Sequence, residues 1–306
     1  MHTILATLLA WPAVLLAPAT AADGFATGTT GGVAGPTVTV TTAAQLAQYA
    51  GANTPYTIMV AGRITASGMI TVVANKSILG VGSTAEITGG GLQLGTTTRP
   101  GNNVIIRNIR FGNASDDSIS VTNKAHHVWI DHNEFLPGYD GSLDIKRQST
   151  NVTVSWNRFL GTDKTMLLGH SDTYTADVGY LRVTYHHNWF EGSNQRHPRV
   201  RFGEPVHVYN NYYKNIGLYG IASTENAGVV AEGNYFENVP YPCHSTGGYA
   251  ESAPGRLVQR GNAFVNSGAC EAGGAVTEPS TFYSYTLDPA SSVPSLVTAG
   301  AGVGRL

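Results

Sequence analysis

A short run of β-forming residues that ends in asparagine, a variable residue and an aromatic recurs along this chain, and it constrains the fold more than any other feature. The copies are Val128 to Phe135, Val152 to Phe159, Val183 to Phe190, Val206 to Tyr213, Val229 to Phe236 and Leu257 to Phe264. An earlier copy, Val104 to Phe111, carries Ile109 where the others carry asparagine. The register positions 109, 133, 157, 188, 211, 234 and 262 are separated by 24, 24, 31, 23, 23 and 28 residues. A unit of this size cannot bury an apolar face alone, so the copies must stack. Short strands with aromatics at one fixed place predict the coils of a parallel β-helix, with the aromatics stacked inside. An asparagine repeated in every coil can hydrogen-bond the next coil's backbone and form a ladder. The asparagines, and with them Trp129, Trp156 and Trp189, are therefore read as architecture. The stretch Ala43 to Ala50, with Thr42 as N-cap, predicts a short helix closing the N-terminal end of the solenoid.

Composition agrees with an all-β extracellular protein: 37 glycines and 15 tyrosines stand against only 4 methionines. The formal net charge of -2 gives no long-range attraction to nucleic acid or an anionic membrane. Ile4 to Leu16 is apolar and is followed by Ala19-Thr20-Ala21, a small-residue cleavage pattern, so residues 1–21 read as a secretory signal peptide and 22–306 as one parallel β-helix domain. The run is shorter than the roughly 20 residues a membrane span needs. Cys243 and Cys270 are the only cysteines, and in a secreted chain such a pair is expected to be a disulfide.

Only 12% of the residues are charged, yet Arg196-His197-Pro198-Arg199-Val200-Arg201 holds three arginines and a histidine. Arginine's rigid fork of donors suits carboxylate or phosphate, which points to a polyanionic ligand. Repeat register adds partners to this run. Asp117, Asp140, Lys164 and Arg196 fall seven or eight residues after successive register positions, so they are expected to form a column on one face, with acids on its upper rungs and cations on its lower ones. Asp140 and Asp144 would lie about 13 Å apart in an extended strand and could not share an ion. A turn is therefore required, and Gly141 would allow it. Hard carboxylate oxygens without cysteine or imidazole suit calcium.

Together these segments resemble the pectate lyase family 1 superfamily, secreted right-handed parallel β-helix enzymes that cleave polygalacturonate by β-elimination. The matching segments are Trp129-Ile130-Asp131-His132, Asp140-Gly141-Ser142-Leu143-Asp144-Ile145-Lys146, Asp163-Lys164-Thr165-Met166-Leu167-Leu168-Gly169 and the pattern Arg196, Pro198, Arg201. The resemblance implies Asp117, Asp140 and Asp144 as Ca2+ ligands, Arg196 as the base that removes the C5 proton, and Lys164 and Arg201 as cations for the uronate. It further implies a monomer acting on pectate in the plant cell wall. Many relatives carry an acid where Ser115 stands, which predicts weak calcium binding until substrate carboxylate joins.

Three other activities are compatible with parts of this pattern. A pectin lyase would act on methyl esters and need no acidic cluster. A polygalacturonate hydrolase would use two carboxylates as acid and base, without the lysine and arginine rungs. A non-catalytic polyuronate-binding β-helix would give no product. Asp131-His132 precedes a ladder asparagine and is expected to be a structural hydrogen bond, whereas Asp172 and His170 are expected to border the cleft and Tyr219 and Tyr241 are candidate sugar-stacking rings.

Overall fold

Each repeat contributes three short strands, and successive repeats lay them in parallel register on those of the turn before. The computed structural model describes residues 21–249 and 252–306, so residues 1–20 of the expected leader lie outside the described residues. Three parallel sheets of ten, nine and eight strands run the length of a β-solenoid. One turn illustrates the plan: Val183–His186 lies in the first sheet, Trp189–Glu191 in the second and Arg199–Arg201 in the third.

The corner between the first and second sheets is the asparagine ladder. Asn157 donates its backbone N–H and its Nδ2 to Asn188 Oδ1, each at 3.1 Å, and Asn188 in turn donates both to Asn211 Oδ1 at 3.0 Å. The same pairing links Asn133 to Asn157, Asn211 to Asn234 and Asn234 to Asn262, while Ile109 donates its backbone N–H to Asn133 Oδ1. The corner is tight because the residue before each ladder position has a left-handed backbone: Asn108, His132, Trp156, His187 and Asn210, then Gly233 and Gly261. Only the glycines adopt it without steric cost. The non-glycine members are held by packing: Trp156 stacks between His132 and His187, with ring centroids at 5.9 and 4.3 Å.

Two residues beyond each ladder position the side chain turns inward. Phe111, Phe135, Phe159, Phe190, Tyr213, Phe236 and Phe264 form one continuous stack, with centroids 4.4 to 5.3 Å apart. In the first two turns Ile64 and Ile87 occupy the equivalent register, which is why the aromatic repeat does not reveal them.

A helix closes the N-terminal end of the core, whereas at the C-terminal end Phe264 and Val265 are exposed. The helix Ala43–Ala50 is capped by Thr42, whose side chain accepts the Gln45 N–H, and it buries Leu46 and Ala50 completely. At the other end Cys243 and Cys270 are disulfide-bonded across adjacent rungs. The chain's last segment returns along the outside, where Val293 and Val297 of the helix Val293–Gly300 pack on Tyr212 among Trp156, Trp189 and Tyr235. Trp129 lies instead against Ala22 and Ala26 of the N-terminal segment. Trp129, Trp156 and Trp189 are thus architectural, on the outer wall rather than in the interior stack. The two straps meet through a chain of side chains from Asp23 through His186 and His187 to Asp288, with contacts of 3.1, 2.9 and 2.9 Å.

Asp131 is likewise structural. Its Oδ2 accepts from Arg107 and contacts His132 Nδ1, both at 2.6 Å, and its Oδ1 accepts from Ser155 at 2.7 Å.

Candidate active site

The turns from the second sheet to the third gather the candidate residues on one edge. They run through Asp116 and Asp117, through Asp140 and Gly141, through Asp163 and Lys164, and through Gln195 and Arg196, each turn directly below the last. The expected column exists, displaced by one residue: Lys164 bridges to Gly141 above and Gln195 below, so Asp140 precedes and Arg196 follows the paired position. Leu167 then pairs with Arg199, a separation one residue longer than that of Lys164 from Gln195. The rung therefore holds one extra residue between Gln195 and Arg199, and this is where Arg196 leaves the ladder with φ of 64°.

The acids converge. Carboxylate oxygens of Asp116, Asp117 and Asp140 lie within 4.8 Å of one another. Asp144 enters from the side: a Cβ on Gly141 would sit 2.8 Å from both Asp117 Oδ1 and Asp144 Oδ1. Glycine is thus required at 141 for room, and its φ is not positive, so the left-handed freedom expected of it is not used. Asp144 Oδ1 accepts the Leu167 N–H, and Lys146 Nζ stands 3.0 Å from Asp117 Oδ2 and 3.5 Å from Asp144 Oδ2. Burial, and then the charge of Asp117, push the Asp144 carboxyl up to about 7, and burial also raises Asp117. Carboxyls crowded until their ionised forms are disfavoured have excess negative charge that a divalent cation relieves. The donor set is all hard oxygen, so the residues present fit calcium.

The cations lie below. Lys164 Nζ pairs with Asp140 Oδ1 at 3.0 Å, and both side chains are more than a third exposed, so a ligand can separate them at little cost. Arg201 is held through Nε by Asp172, which also accepts from Ser252, while its shielded Nη1 has no partner. Arg196 makes no ion pair among the described residues, and its shielded Nε is also unpartnered. Arg158, Arg182 and Arg199 carry such a nitrogen too, so it is the position of Arg196 and Arg201 below Lys164 and the acids, and not the unpaired atom, that singles them out.

The residue after Arg196 fixes the turn. His197 is fully buried, donating through Nδ1 to the Tyr219 carbonyl at 2.9 Å and accepting through Nε2 from Ser193 at 2.8 Å. Burial lowers its pKa to about 4, so the ring is neutral and acts as a strut. Arg199 is buried, with its guanidinium 5.4 Å from the Tyr249 ring, as suits a structural arginine.

A family model for pectate lyases matches residues 1–306. The chain belongs to the pectate lyase family. It is 39% identical to a pectate trisaccharide-lyase of Bacillus licheniformis, over 92% of this chain and 86% of that protein. It is 36% identical to the pectate trisaccharide-lyase of Thermotoga maritima, over 91% of this chain and 85% of that one. A Bacillus pectate lyase solved in complex with trigalacturonate superposes with a TM-score of 0.81 and 33% identity, covering 93% of this chain and 99% of that one. The protein is therefore a polysaccharide lyase built on the parallel β-helix.

Within this lyase the structure brings Asp117, Asp140, Asp144, Lys164, Arg196 and Arg201 to one edge. Asp116 and Lys146 join them, although neither stands out in the sequence. Asp116 adjoins a predicted ligand, and Lys146 falls within a matching segment, yet only the fold shows that both face the other acids. Tyr219, considered for stacking on sugar, is fully buried and cannot do so, because its turn folds beneath Tyr249.

Proposed function

We propose that this lyase is secreted, works as a monomer and depends on calcium, cleaving α-1,4-linked polygalacturonate by β-elimination to leave 4,5-unsaturated oligogalacturonides. One observation carries the reading: a carboxylate cluster, then Lys164, then Arg196 follow one another down the rungs of one edge, an arrangement that suits a polyuronate and a bridging cation. Secretion is supported by the apolar stretch at Ile4 to Leu16 and by the Cys243–Cys270 disulfide, which belongs in an oxidising compartment.

The chemical difficulty is the C5 proton of a galacturonate, which is α to a carboxylate. Removing it loads negative charge on an already negative group, so that group must be neutralised. Asp116, Asp117, Asp140 and Asp144 would hold calcium, which when bound supplies positive charge beside the uronate carboxylate. Lys164 exchanges Asp140 for a uronate oxygen, and Arg201, oriented through Nε by Asp172, supplies a second cation for the same group. Arg196 takes the C5 proton. The C5 electron pair forms the C4–C5 double bond, the C4–O4 bond breaks, and O4 leaves on the neighbouring sugar to be protonated by water. Guanidinium ordinarily holds its proton past pH 12, so an arginine base predicts activity that climbs toward alkaline pH.

The test is incubation with polygalacturonate and with methylated pectin, with and without chelator, following the ultraviolet absorbance of the unsaturated uronide. Absorbance from polygalacturonate alone, abolished by chelator and restored by calcium, is the expected result. Reducing ends without absorbance would mean hydrolysis, and chelator-resistant cleavage of methylated pectin would mean a pectin lyase. Relatives named for trisaccharide release further predict unsaturated trigalacturonate as the main product.

A further inference from the structure

Tyr241, the second ring expected to stack on sugar, is 52% exposed at the lower end of the catalytic edge. Strand register fixes its place. Tyr219 lies one rung below the turn that carries Arg196, donating its N–H to the Asn194 carbonyl at 3.3 Å, and Tyr241 pairs with Tyr219 one rung lower still. In the same way Arg199 pairs with Ala222, and Ala222 with His244. The Tyr241 ring stacks on His244 with centroids 5.2 Å apart, and His244 stacks at 5.3 Å on Tyr249, the ring that Arg199 approaches. A row of ring faces thus leads down from the arginines, and it ends with the sheet, because Tyr241–His244 is the last strand of the third sheet. The chain passes once more beneath this strand and presents Glu271, whose Oε1 lies 3.7 Å from His244 Nδ1.

We propose that Tyr241, backed by His244, is the platform for the third sugar of the product, counted from the sugar that gives Arg196 its C5 proton. The proposal rests on the pectate lyase reading above and assigns the length of the product and the direction of the bound chain. A 1,4-linked pyranose advances close to one rung, about 4.8 Å, so sugars one, two and three lie level with Arg196, Tyr219 and Tyr241. The first becomes the unsaturated end when O4 leaves on the sugar above it, and the reducing end points toward the C-terminal rungs. Five strands of the third sheet lie above Arg199–Arg201 and only two below it, so the long remainder of the polymer has room above and the short product below. Neither Tyr219–Thr224 nor Tyr241–His244 carries lysine or arginine, so below Arg201 the third sheet offers ring face rather than a fixed cation. An exposed tyrosine supplies rigid contact area for the C–H face of a pyranose, with few torsions to fix. A fourth sugar would pass the last strand, gain no such face and set its carboxylate beside Glu271, which carries the same charge. Three sugars are thus the length that this end of the groove favours.

Hexagalacturonate carrying heavy oxygen at its reducing end, digested in calcium buffer and followed by mass spectrometry, tests this. The label is expected in unsaturated trigalacturonate, beside an unlabelled saturated trimer. Label in an unsaturated tetramer, beside a saturated dimer, would place the chain the other way round and overturn the proposal. Tyr241→Ala should raise KM for the hexamer about 2- to 10-fold and spread the label into unsaturated dimer and tetramer. Tyr241→Phe, which keeps the ring face, should restore the trimer, and Glu271→Gln should move label toward the tetramer. Product size does not depend on how much of the enzyme is folded, so a destabilised variant still reports. An unchanged product distribution in Tyr241→Ala would overturn the platform while leaving the lyase intact. Absence of any unsaturated product from the parent protein would overturn the pectate reading itself.

Discussion

Replacing Asn188 by alanine tests whether the ladder is a structural spine. Asn188 is fully buried and makes four side-chain hydrogen bonds: Oδ1 accepts the Asn157 N–H and Nδ2, while Nδ2 donates to the Val154 carbonyl and to Asn211 Oδ1. Truncation leaves the Asn157 N–H and the Val154 carbonyl without these partners in a dry corner. Each buried orphan costs about 1–3 kcal/mol, so a loss of about 3–5 kcal/mol is expected once the small cavity is included. With a guanidinium slope of about 5 kcal/mol/M, the unfolding midpoint should fall by about 0.6–1 M. Asn262→Ala provides the internal comparison. Its side chain ends the ladder and is only partly buried, so water can replace what is lost and the cost should be about 1 kcal/mol. Fluorescence-monitored guanidinium titration reads both. A midpoint for Asn188→Ala within 0.2 M of the parent, on the scale set by that slope, would refute the reasoning, as would equal losses at the two positions.

In metal-free protein the Asp144 carboxyl, raised to about 7 when folded, binds a proton that the unfolded chain releases near pH 4. Stability from this group is complete below pH 4 and is lost as pH rises through 7. Melting temperature should fall over that interval, calcium should restore it, and Asp144→Asn should abolish both effects. Lys146→Met removes a cation that competes for Asp117 and Asp144, so calcium affinity by titration should rise while the metal-free protein melts earlier. Burial holds His187 down to about 4, so the folded state resists a proton that the unfolded chain takes up below about 6.5. The C-terminal strap should accordingly become more susceptible to protease as pH falls through that range. Reducing Cys243–Cys270, which closes a separation of 27 residues, should cost about 3.5 kcal/mol in a denaturation curve.

The solenoid was legible because its architecture is written as a period. Asn133, Asn157, Asn188, Asn211, Asn234 and Asn262 each recur with an aromatic two residues on, and a ladder and an interior stack are what such a repeat can build. The first two turns escaped, since Ile64 and Ile87 serve the same register as phenylalanine without announcing it. The helix Val293–Gly300 also escaped, because it packs on residues such as Tyr212 that are remote in sequence. At the site, counting along the repeat found the correct edge but misjudged register by one residue. Counting assumes equal turns, whereas the paired position falls eight residues after Asn133, at Gly141, but seven after Asn157 and Asn188, at Lys164 and Gln195. In sequence Gly141 looks like a source of backbone freedom, whereas in the fold two carboxylates need the volume of its missing side chain.

The uneven rung lengths carry a consequence for how this molecule can change. In the 31-residue and 28-residue rungs the surplus lies between the third-sheet strand and the next first-sheet strand, at His170 to Leu181 and after His244. The ladder corner and the edge bearing the acids and cations are bypassed by that surplus. Length is thus segregated from the acids, Lys164 and Arg196, while the surplus supplies Asp172 to hold Arg201 from outside. Insertions at this third corner can raise or lower a wall beside the groove without moving Asp117, Lys164 or Arg196, so a lineage, or an engineer, can trade one groove border for another on an unchanged catalytic face.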